Sequence, residues 1–161
     1  MTTPARSVTI VEELVATPEV QAAFQSFAAE ADRITAEQIA ICSIAAPPFG
    51  EQERAEYFLS KLAECGLSNS EIDEAGNCLA LYEGRTSAPV VVVSAHLDTV
   101  FPAGTDLTLR HSNNRLLAPG ISDDGCGLAA LTAIARALTE NSLQVESPIL
   151  FAATVGEEGE G

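Results

Sequence analysis

The chain has 161 residues, which fits one domain, and its hydrophobic content of 47% against 19% charged residues is enough for a buried core. Aromatic residues make up only 5% of the sequence, so the core is expected to be aliphatic. The formal net charge of -15 argues against nucleic acid or an anionic membrane as a partner, because both are bound through basic patches.

Neither the N-terminal stretch nor the cysteines indicate export. The stretch MTTPARSVTIVEELV has no long apolar core after Arg6, which predicts the absence of a secretory signal. No segment approaches the roughly 18 apolar residues of a membrane span. The four cysteines (Cys42, Cys65, Cys78 and Cys126) form no C-x-x-C pair, so they are predicted to be reduced and mostly buried. These features predict a cytoplasmic protein without a membrane or nucleic-acid partner.

The N-terminal part is predicted to be helical from residue 8 to residue 44. A break is expected near Thr17, which suits an N-cap, because Pro18 then takes the first helical position. Thr35 is predicted to cap a second helical stretch. The segment APPFG (46–50) ends this helical region, since two prolines cannot continue a helix.

An amphipathic helix and a pair of strands come next. The segment EQERAEYFLSKLAEC (51–65) has apolar residues at helical spacing, and Gly66 suits its C-terminal end. Its apolar positions are Ala55, Phe58, Leu59 and Leu62. Two short strands are then predicted around the turn EAGN, within residues 70–83.

The second half alternates strand, helix and strand. The segment APVVVVSAHLD (88–98) has four consecutive valines, which predicts a strand buried on both faces, as in parallel sheets covered by helices. A hairpin is predicted in 105–120, a long helix from Gly125, and a second doubly buried strand in PILFAATV (148–155). This order predicts an α/β domain.

Acidic residues and one histidine lie just after these elements. In open parallel sheets, ligands bind just beyond the carboxyl ends of the strands. The valine strand, the loop before the long helix and the last strand bring one imidazole and five carboxylates toward that edge: His96, Asp98, Asp123, Asp124, Glu157 and Glu158. Converging carboxylates repel one another and are tolerated when a cation compensates them, and oxygen ligands with one imidazole suit zinc, manganese or cobalt better than calcium.

Each of these groups also has a plain structural interpretation. His96 can be an ordinary hydrogen-bonded histidine oriented by Asp98, and the Asp123-Asp124 pair can cap the following helix. The two glutamates can form a solvated turn, and the acids together can hold a hard cation for structure only. The other histidine, His111, lies in a polar turn and is predicted to be a surface residue.

Three segments resemble successive motifs of the co-catalytic di-zinc metallopeptidases, the family that includes aminoacylase, glutamate-releasing carboxypeptidases, peptidase T and acetylornithine deacetylase. They are SAHLDTVFP, GISDDGCGLAAL and ATVGEEGEG, and they lie in order within residues 94–161. Residues 1–93 resemble the N-terminal helix and strand layout of the family less specifically.

The resemblance implies a role for five residues and a cofactor of two Zn²⁺, with Co²⁺ or Mn²⁺ as alternatives. His96 is expected to ligate one zinc, Glu158 the other, and Asp123 to bridge both. Asp98 is expected to orient His96. Glu157 is expected to be the general base, taking a proton from the attacking water and passing it to the leaving amine.

The resemblance also implies a fold. It is a three-layer helix–sheet–helix domain with a mostly parallel central sheet, of which residues 1–161 are the N-terminal portion. The helical part is placed at 1–65, the strand pair at 70–83 and the metal-site half at 89–161. Family members are much longer, with further metal ligands and an inserted dimerisation domain, so the chain is expected to be truncated from a parent that forms a homodimer.

Two further points concern the segment before the long helix. The resemblance implies a cis peptide bond between Asp123 and Asp124. Many family members carry lysine where this chain has Gly125, a departure that leaves the expected metal ligands in place.

The function implied is zinc-dependent hydrolysis of peptide bonds in small peptides. Deacylation of N-acyl-amino acids by an amidohydrolase of the same family is the alternative for the parent protein. A third interpretation is that the 161 residues alone are an inactive fragment that at most binds metal.

Overall fold

The computed structural model describes residues 4–158, with side chains from residue 7 onward. In this part of the chain the helices are α1 (Pro4–Val15), α2 (Pro18–Ala29), α3 (Ala31–Cys42), α4 (Gln52–Glu64) and α5 (Gly125–Glu140). The strands are β1 (Ser68–Ile72), β2 (Cys78–Tyr82), β3 (Val91–His96), β4 (Arg110–Ser112), β5 (Arg115–Leu117) and β6 (Ile149–Thr154). Residues 1–3 of the predicted helical region and residues 159–161 of the last motif lie outside the described residues.

The central sheet is mixed, with strand order β1-β2-β6-β3, and β4 pairs separately with β5. β1 and β2 are antiparallel, β2 and β6 are antiparallel, and only β3 and β6 run parallel. The prediction of a mostly parallel sheet is therefore wrong for this part of the chain. The reason is connectivity: a parallel pair needs a long crossover, which α5 provides between β3 and β6, whereas a short turn joins β1 to β2.

The hydrophobic core lies between one face of the sheet and helices α3, α4 and α5. Its fully buried members include Ile41, Phe58, Leu62, Ala80, Leu128 and Phe151. Among residues 4–158, the helices that contact the sheet most, α4 and α5, also contact each other and share this core. The described residues thus form two layers, not the three that were expected.

The valine strand is where the burial prediction is wrong. β3 is confirmed as a strand, but it lies at the edge of the described sheet, and Val92 on its uncovered face is 57% exposed. β6 is the central parallel strand, and Phe151, Ala152 and Ala153 within it are buried, as predicted. Uninterrupted apolar sequence therefore marked both strands, but only the central strand is shielded by neighbours on both sides.

One of the two predicted helix caps is confirmed. Thr17 is the N-cap of α2, with Pro18 at the first helical position. Thr35 instead lies inside α3, where its hydroxyl donates to the carbonyl oxygen of Ala31 at 2.8 Å. That local hydrogen bond lets threonine remain within a helix, so α3 starts one turn earlier than predicted.

The cysteines are free and mostly buried, as predicted. Burial raises the pKa of Cys42 to about 11 and the pKa of Cys78 to about 12, and Cys65 is also buried. Cys126, in the first turn of α5, is exposed. None of the helices within residues 4–158 is both long enough and apolar enough to span a bilayer.

Candidate metal centre

Three chain segments meet at the carboxyl edge of the parallel strand pair. The register of β3 against β6 ends with His96 opposite Thr154, so the loops after both strands begin at the same edge of the sheet. The third segment is the turn before α5, where the amide of Gly125 donates to the carbonyl oxygen of Gly120 at 3.0 Å. The predicted convergence of these segments is therefore present in the fold.

His96 is held with one ring nitrogen facing Asp123. Its Nε2 lies 3.0 Å from Oδ1 of Asp123, while Nδ1 lies 3.0 Å from the main-chain carbonyl oxygen of Asp98. Burial opposes the charged imidazolium, but the hydrogen bond to Asp123 and the charges of Asp124 and Asp98 outweigh it, so the pKa of His96 is raised. The Nδ1 contact to a carbonyl leaves Nε2 as the nitrogen suited to ligate a metal.

Both glutamates after β6 lie beside this histidine. One ligand atom each from His96, Glu157 and Glu158 lie within 4.8 Å of one another. Glu157 is exposed and Glu158 is half-buried. Asp123 contacts the same histidine at 3.0 Å but is not a member of that cluster of three, so the structure places Glu157, Glu158 and Asp123 around His96.

Asp98 joins the loop after β3 to the loop after β6. Its side chain is fully buried, and its two carboxylate oxygens accept the amides of Glu157 at 3.1 Å and Glu158 at 2.7 Å. Its Oδ1 lies 3.5 Å from Nδ1 of His96, farther than its own main-chain oxygen. Asp98 therefore contacts the imidazole mainly through its backbone, and its carboxylate fixes the two glutamates. The sequence had indicated only the contact to His96.

The two aspartates before α5 have different contacts. Their peptide bond is cis, as the resemblance implied. The carboxylate of Asp124 accepts the amide of Gly127 at 2.9 Å, which makes it the N-cap of α5, and also the amide of His96 at 3.0 Å. The capping interpretation is therefore correct for Asp124, whereas Asp123 extends toward the imidazole with its side chain 76% exposed.

Gly125 stands where the packing leaves no room for a side chain. A Cβ at this position would lie 2.2 Å from Sγ of Cys42 and 2.8 Å from the carbonyl oxygen of Gly120. Glycine at this position therefore agrees with the way α3 packs under this turn. His111, by contrast, lies on β4 and is exposed, as predicted.

Three supporting residues were not identified from the sequence. Oδ1 of Asn77 accepts the amide of Val155 at 3.0 Å, Glu51 accepts the amide of Gly156, and Arg54 donates to the carbonyl oxygen of Leu97. For Arg54 a signal existed. It lies four residues before Phe58 on the same buried face of α4, so helical spacing places a charge toward the core.

The donor set fits zinc. Ligands at 2.0–2.2 Å from a tetrahedral zinc lie about 3.4 Å apart, close to the 3.0 Å between Nε2 of His96 and Oδ1 of Asp123. Glu158 adds a carboxylate on the opposite loop, so imidazole and carboxylate oxygens face one space. A cation there would also offset the repulsion between acids that now lie side by side.

Comparison with known proteins gives a family and a fold. A family model described as Peptidase family M28 matches residues 77–160, slightly more than half of the chain. The fold is similar to that of the aminopeptidase PepT from Bacillus cereus, at 22% identity and a TM-score of 0.68, with 80% of this chain and 37% of that chain covered.

Two further solved structures agree. A tripeptidase from Staphylococcus aureus is 23% identical with a TM-score of 0.65, covering 79% of this chain and 37% of that chain. The di-peptidase Dug1p from Saccharomyces cerevisiae is 15% identical with a TM-score of 0.70, covering 86% of this chain and 35% of that chain. The chain thus spans about a third of the length of these three proteins.

Proposed function

Because this chain belongs to peptidase family M28, we propose that it forms part of a zinc-dependent enzyme that hydrolyses peptide bonds in small peptides. The observation that carries the proposal is the cluster of His96, Glu157 and Glu158, with Asp123 in contact with His96, so that side chains from three separate loops converge. The solved relatives named an aminopeptidase, a tripeptidase and a di-peptidase support short peptides as the substrate class.

The metal would be held by three side chains of this chain. His96 would ligate one zinc through Nε2, Glu158 the other, and Asp123 would bridge the pair; Co²⁺ and Mn²⁺ suit the same donors. Zinc supplies polarisation of the scissile carbonyl and acidification of water when bound. Asp98 would keep His96 and both glutamates in register, since it contacts all three.

Glu157 would move the proton. Its side chain is exposed at the mouth of the centre, while its amide is anchored on Asp98 at 3.1 Å, so the carboxylate is free to face substrate on a fixed backbone. It would accept the proton of the attacking water and deliver it to the leaving amine, a role for which a positioned carboxylate suffices.

The metal part of this proposal is tested with the two histidines of the chain. Calorimetric titration with zinc should give binding that His96→Ala weakens at least tenfold, because an imidazole ligand is lost. His111→Ala is the matched control, since that side chain is exposed on β4, and it should bind zinc like the parent chain. Equal weakening by both substitutions, or none by His96→Ala, would contradict the site.

Substitutions of the two glutamates distinguish the proposed general base from the proposed metal ligand. In the zinc enzyme that we propose this chain to be part of, Glu157→Gln should retain zinc and lower peptide turnover by about 10² to 10⁴-fold, as expected for loss of a general base. Glu158→Gln should instead lower zinc content. Normal turnover in Glu157→Gln would overturn the assigned base role.

We also propose that the 161 residues alone bind zinc without turnover. The observation behind this is that three candidate ligands serve two metals, fewer than catalytic zinc normally has, in a chain spanning about a third of its solved relatives. Assays with di- and tripeptides and with N-acetyl-amino acids test it, and the second substrate set also addresses the amidohydrolase alternative. Peptide hydrolysis by the isolated chain would refute it.

A further inference from the structure

Two charged side chains at the beginning of α4 are buried without forming an ion pair to any residue within 7–158. Glu51 is 4% exposed and Arg54 is 1% exposed. Burying a charge is costly unless it gains hydrogen bonds in return. The hydrogen bonds that each side chain makes are to main-chain groups, and for each side chain one of those groups belongs to a loop of the candidate metal centre.

Glu51 connects the loop before α4 to the loop after β6. Its Oε1 accepts the amide of Phe49 at 2.9 Å and the amide of Gly156 at 3.3 Å. Gly156 directly precedes the two glutamates of the centre. Glu51 holds the N-cap position of α4, where an acidic side chain ordinarily accepts a helix amide, yet its carboxylate caps no amide of α4. Its hydrogen bonds serve the loops instead.

Arg54 holds the loop after β3 from below. Its Nη1 donates to the carbonyl oxygen of Leu97 at 2.7 Å, and its Nε donates to the carbonyl oxygen of Ile44 at 3.0 Å. Leu97 lies between His96 and Asp98, so the guanidinium fixes the backbone that carries both. Its charge also interacts with the buried carboxylate of Asp98, which forms no ion pair with an arginine or lysine among the described side chains.

We propose that Glu51 and Arg54 are positioning residues that fix the spacing between the loops of β3 and β6, and thereby the separation of the metal-binding side chains. The proposal rests on the proposed function for its link to zinc. An apolar pair would pack the same volume without desolvating two charges. What the charged pair adds is directional hydrogen bonding to both loops from one rigid helix turn.

The test distinguishes the effect of the length of the Glu51 side chain from the effect of its charge. Glu51→Gln keeps the length of the side chain and an oxygen acceptor but loses the charge. Glu51→Asp keeps the charge but is one methylene shorter, so it cannot reach Gly156. Zinc affinity should fall about tenfold in Glu51→Asp, the lower range for loss of a group that supports metal ligands, and stay within about threefold of the parent in Glu51→Gln. Glu53→Gln, exposed on the same helix, is the control.

A second readout does not depend on metal. Hydrogen exchange of residues 156–158 in the zinc-free chain should accelerate in Glu51→Asp and not in Glu51→Gln or the control. If Glu51→Asp matches the parent in both readouts, or Glu51→Gln behaves worse than Glu51→Asp, the positioning proposal is wrong. If the parent chain binds no zinc, the proposed function fails, while the exchange rates still decide the role of Glu51.

Discussion

Two arginines among the described residues are buried, and each is accommodated in a different way. Arg136 in α5 is 4% exposed and donates to Oε2 of Glu30 at 2.9 Å and to Oε1 of Glu37 at 2.8 Å. Arg54 in α4 is 1% exposed and donates to main-chain carbonyl oxygens. Burial works against both charges, but the carboxylates around Arg136 raise its pKa, whereas burial prevails at Arg54 and lowers its pKa.

The difference arises from the groups that each arginine joins. Arg136 links helices, whose backbone groups are already paired within each helix, so only side chains from α3 and the adjoining turn can meet it. Arg54 lies under irregular loops whose carbonyls need donors. A second arginine also lies near the glutamates that contact Arg136, because Arg33 lies 3.5 Å from Glu37 and 3.7 Å from Glu30. Among the described residues, no second arginine or lysine donates to the carbonyl oxygens that Arg54 contacts.

The largest effect is expected from Arg54→Met. The substitution leaves the carbonyl oxygens of Ile44 and Leu97 without their donor and removes a cation that interacts with the charge of Asp98. We expect the free energy of unfolding to fall by about 3 kcal/mol, since each unpaired buried group costs about 1–3 kcal/mol. Urea unfolding of the zinc-free chain measures this. A loss below about 1 kcal/mol would show that water replaces the guanidinium and that Arg54 does not fix the loop.

A smaller loss is expected from Arg136→Met. Glu37 and Glu30 lose their buried partner, but Arg33 remains within 4 Å of both and compensates part of their charge. The free energy of unfolding should therefore fall by about 2 kcal/mol, less than the 3–5 kcal/mol typical of a fully broken buried pair. Zinc affinity should not change, because the hydrogen bonds of Arg136 are to Glu30 and Glu37, away from the loops of the candidate metal centre. A change in zinc affinity would show that Arg136 influences that centre.

Replacing Glu37 together with Arg136 should recover most of the stability that Arg136→Met alone loses. In the double variant Arg136→Met, Glu37→Met, no uncompensated charge remains at Glu37, and two apolar side chains fill the space. We expect a stability within about 1 kcal/mol of the parent chain, because apolar replacement of a buried pair is often neutral. If the double variant is less stable than Arg136→Met alone, the loss in the single variant does not come from an uncompensated charge at Glu37.

The elements of this fold were predictable because their signals are local. Apolar spacing gave α4 and α5, and the turn at Gly76 gave the β1–β2 pair. The position of β2 beside β6 is a long-range choice that no local pattern carries, and it made the sheet mixed. The edge location of β3 is equally non-local, so the valine run was assigned too much burial.

The candidate metal centre shows the same difference between local and long-range features. Its proposed metal ligands lie in short motifs after β3, before α5 and after β6, so His96, Asp123 and Glu158 could be proposed from the sequence. Their supports are distant: Glu51 contacts a residue 105 positions later in the chain, and Arg54 one 43 positions later. Only the placement of Arg54 on an apolar helix stripe offered a hint, since an isolated charge there must find partners across the core.

The smallest effect is expected in the pH dependence of the free energy of unfolding, which should depend on His96 but not on Arg136. His96 lies in the candidate metal centre, and its pKa in the folded chain is raised above the ordinary value of about 6.5, whereas Arg136 stays charged throughout. A raised folded pKa means that the contribution of His96 to stability is fully present below about pH 6.5 and is lost as the pH rises through the folded pKa. The zinc-free parent chain should therefore lose stability relative to His96→Gln on going from about pH 6 to pH 8.5, and Arg136→Met should follow the parent curve.

Zinc affinity should change in the opposite sense and increase over the same range, because the ligand is the neutral imidazole. If the difference in stability between the parent and His96→Gln is constant across this range, His96 does not gain a proton-dependent contact to Asp123 in the folded chain.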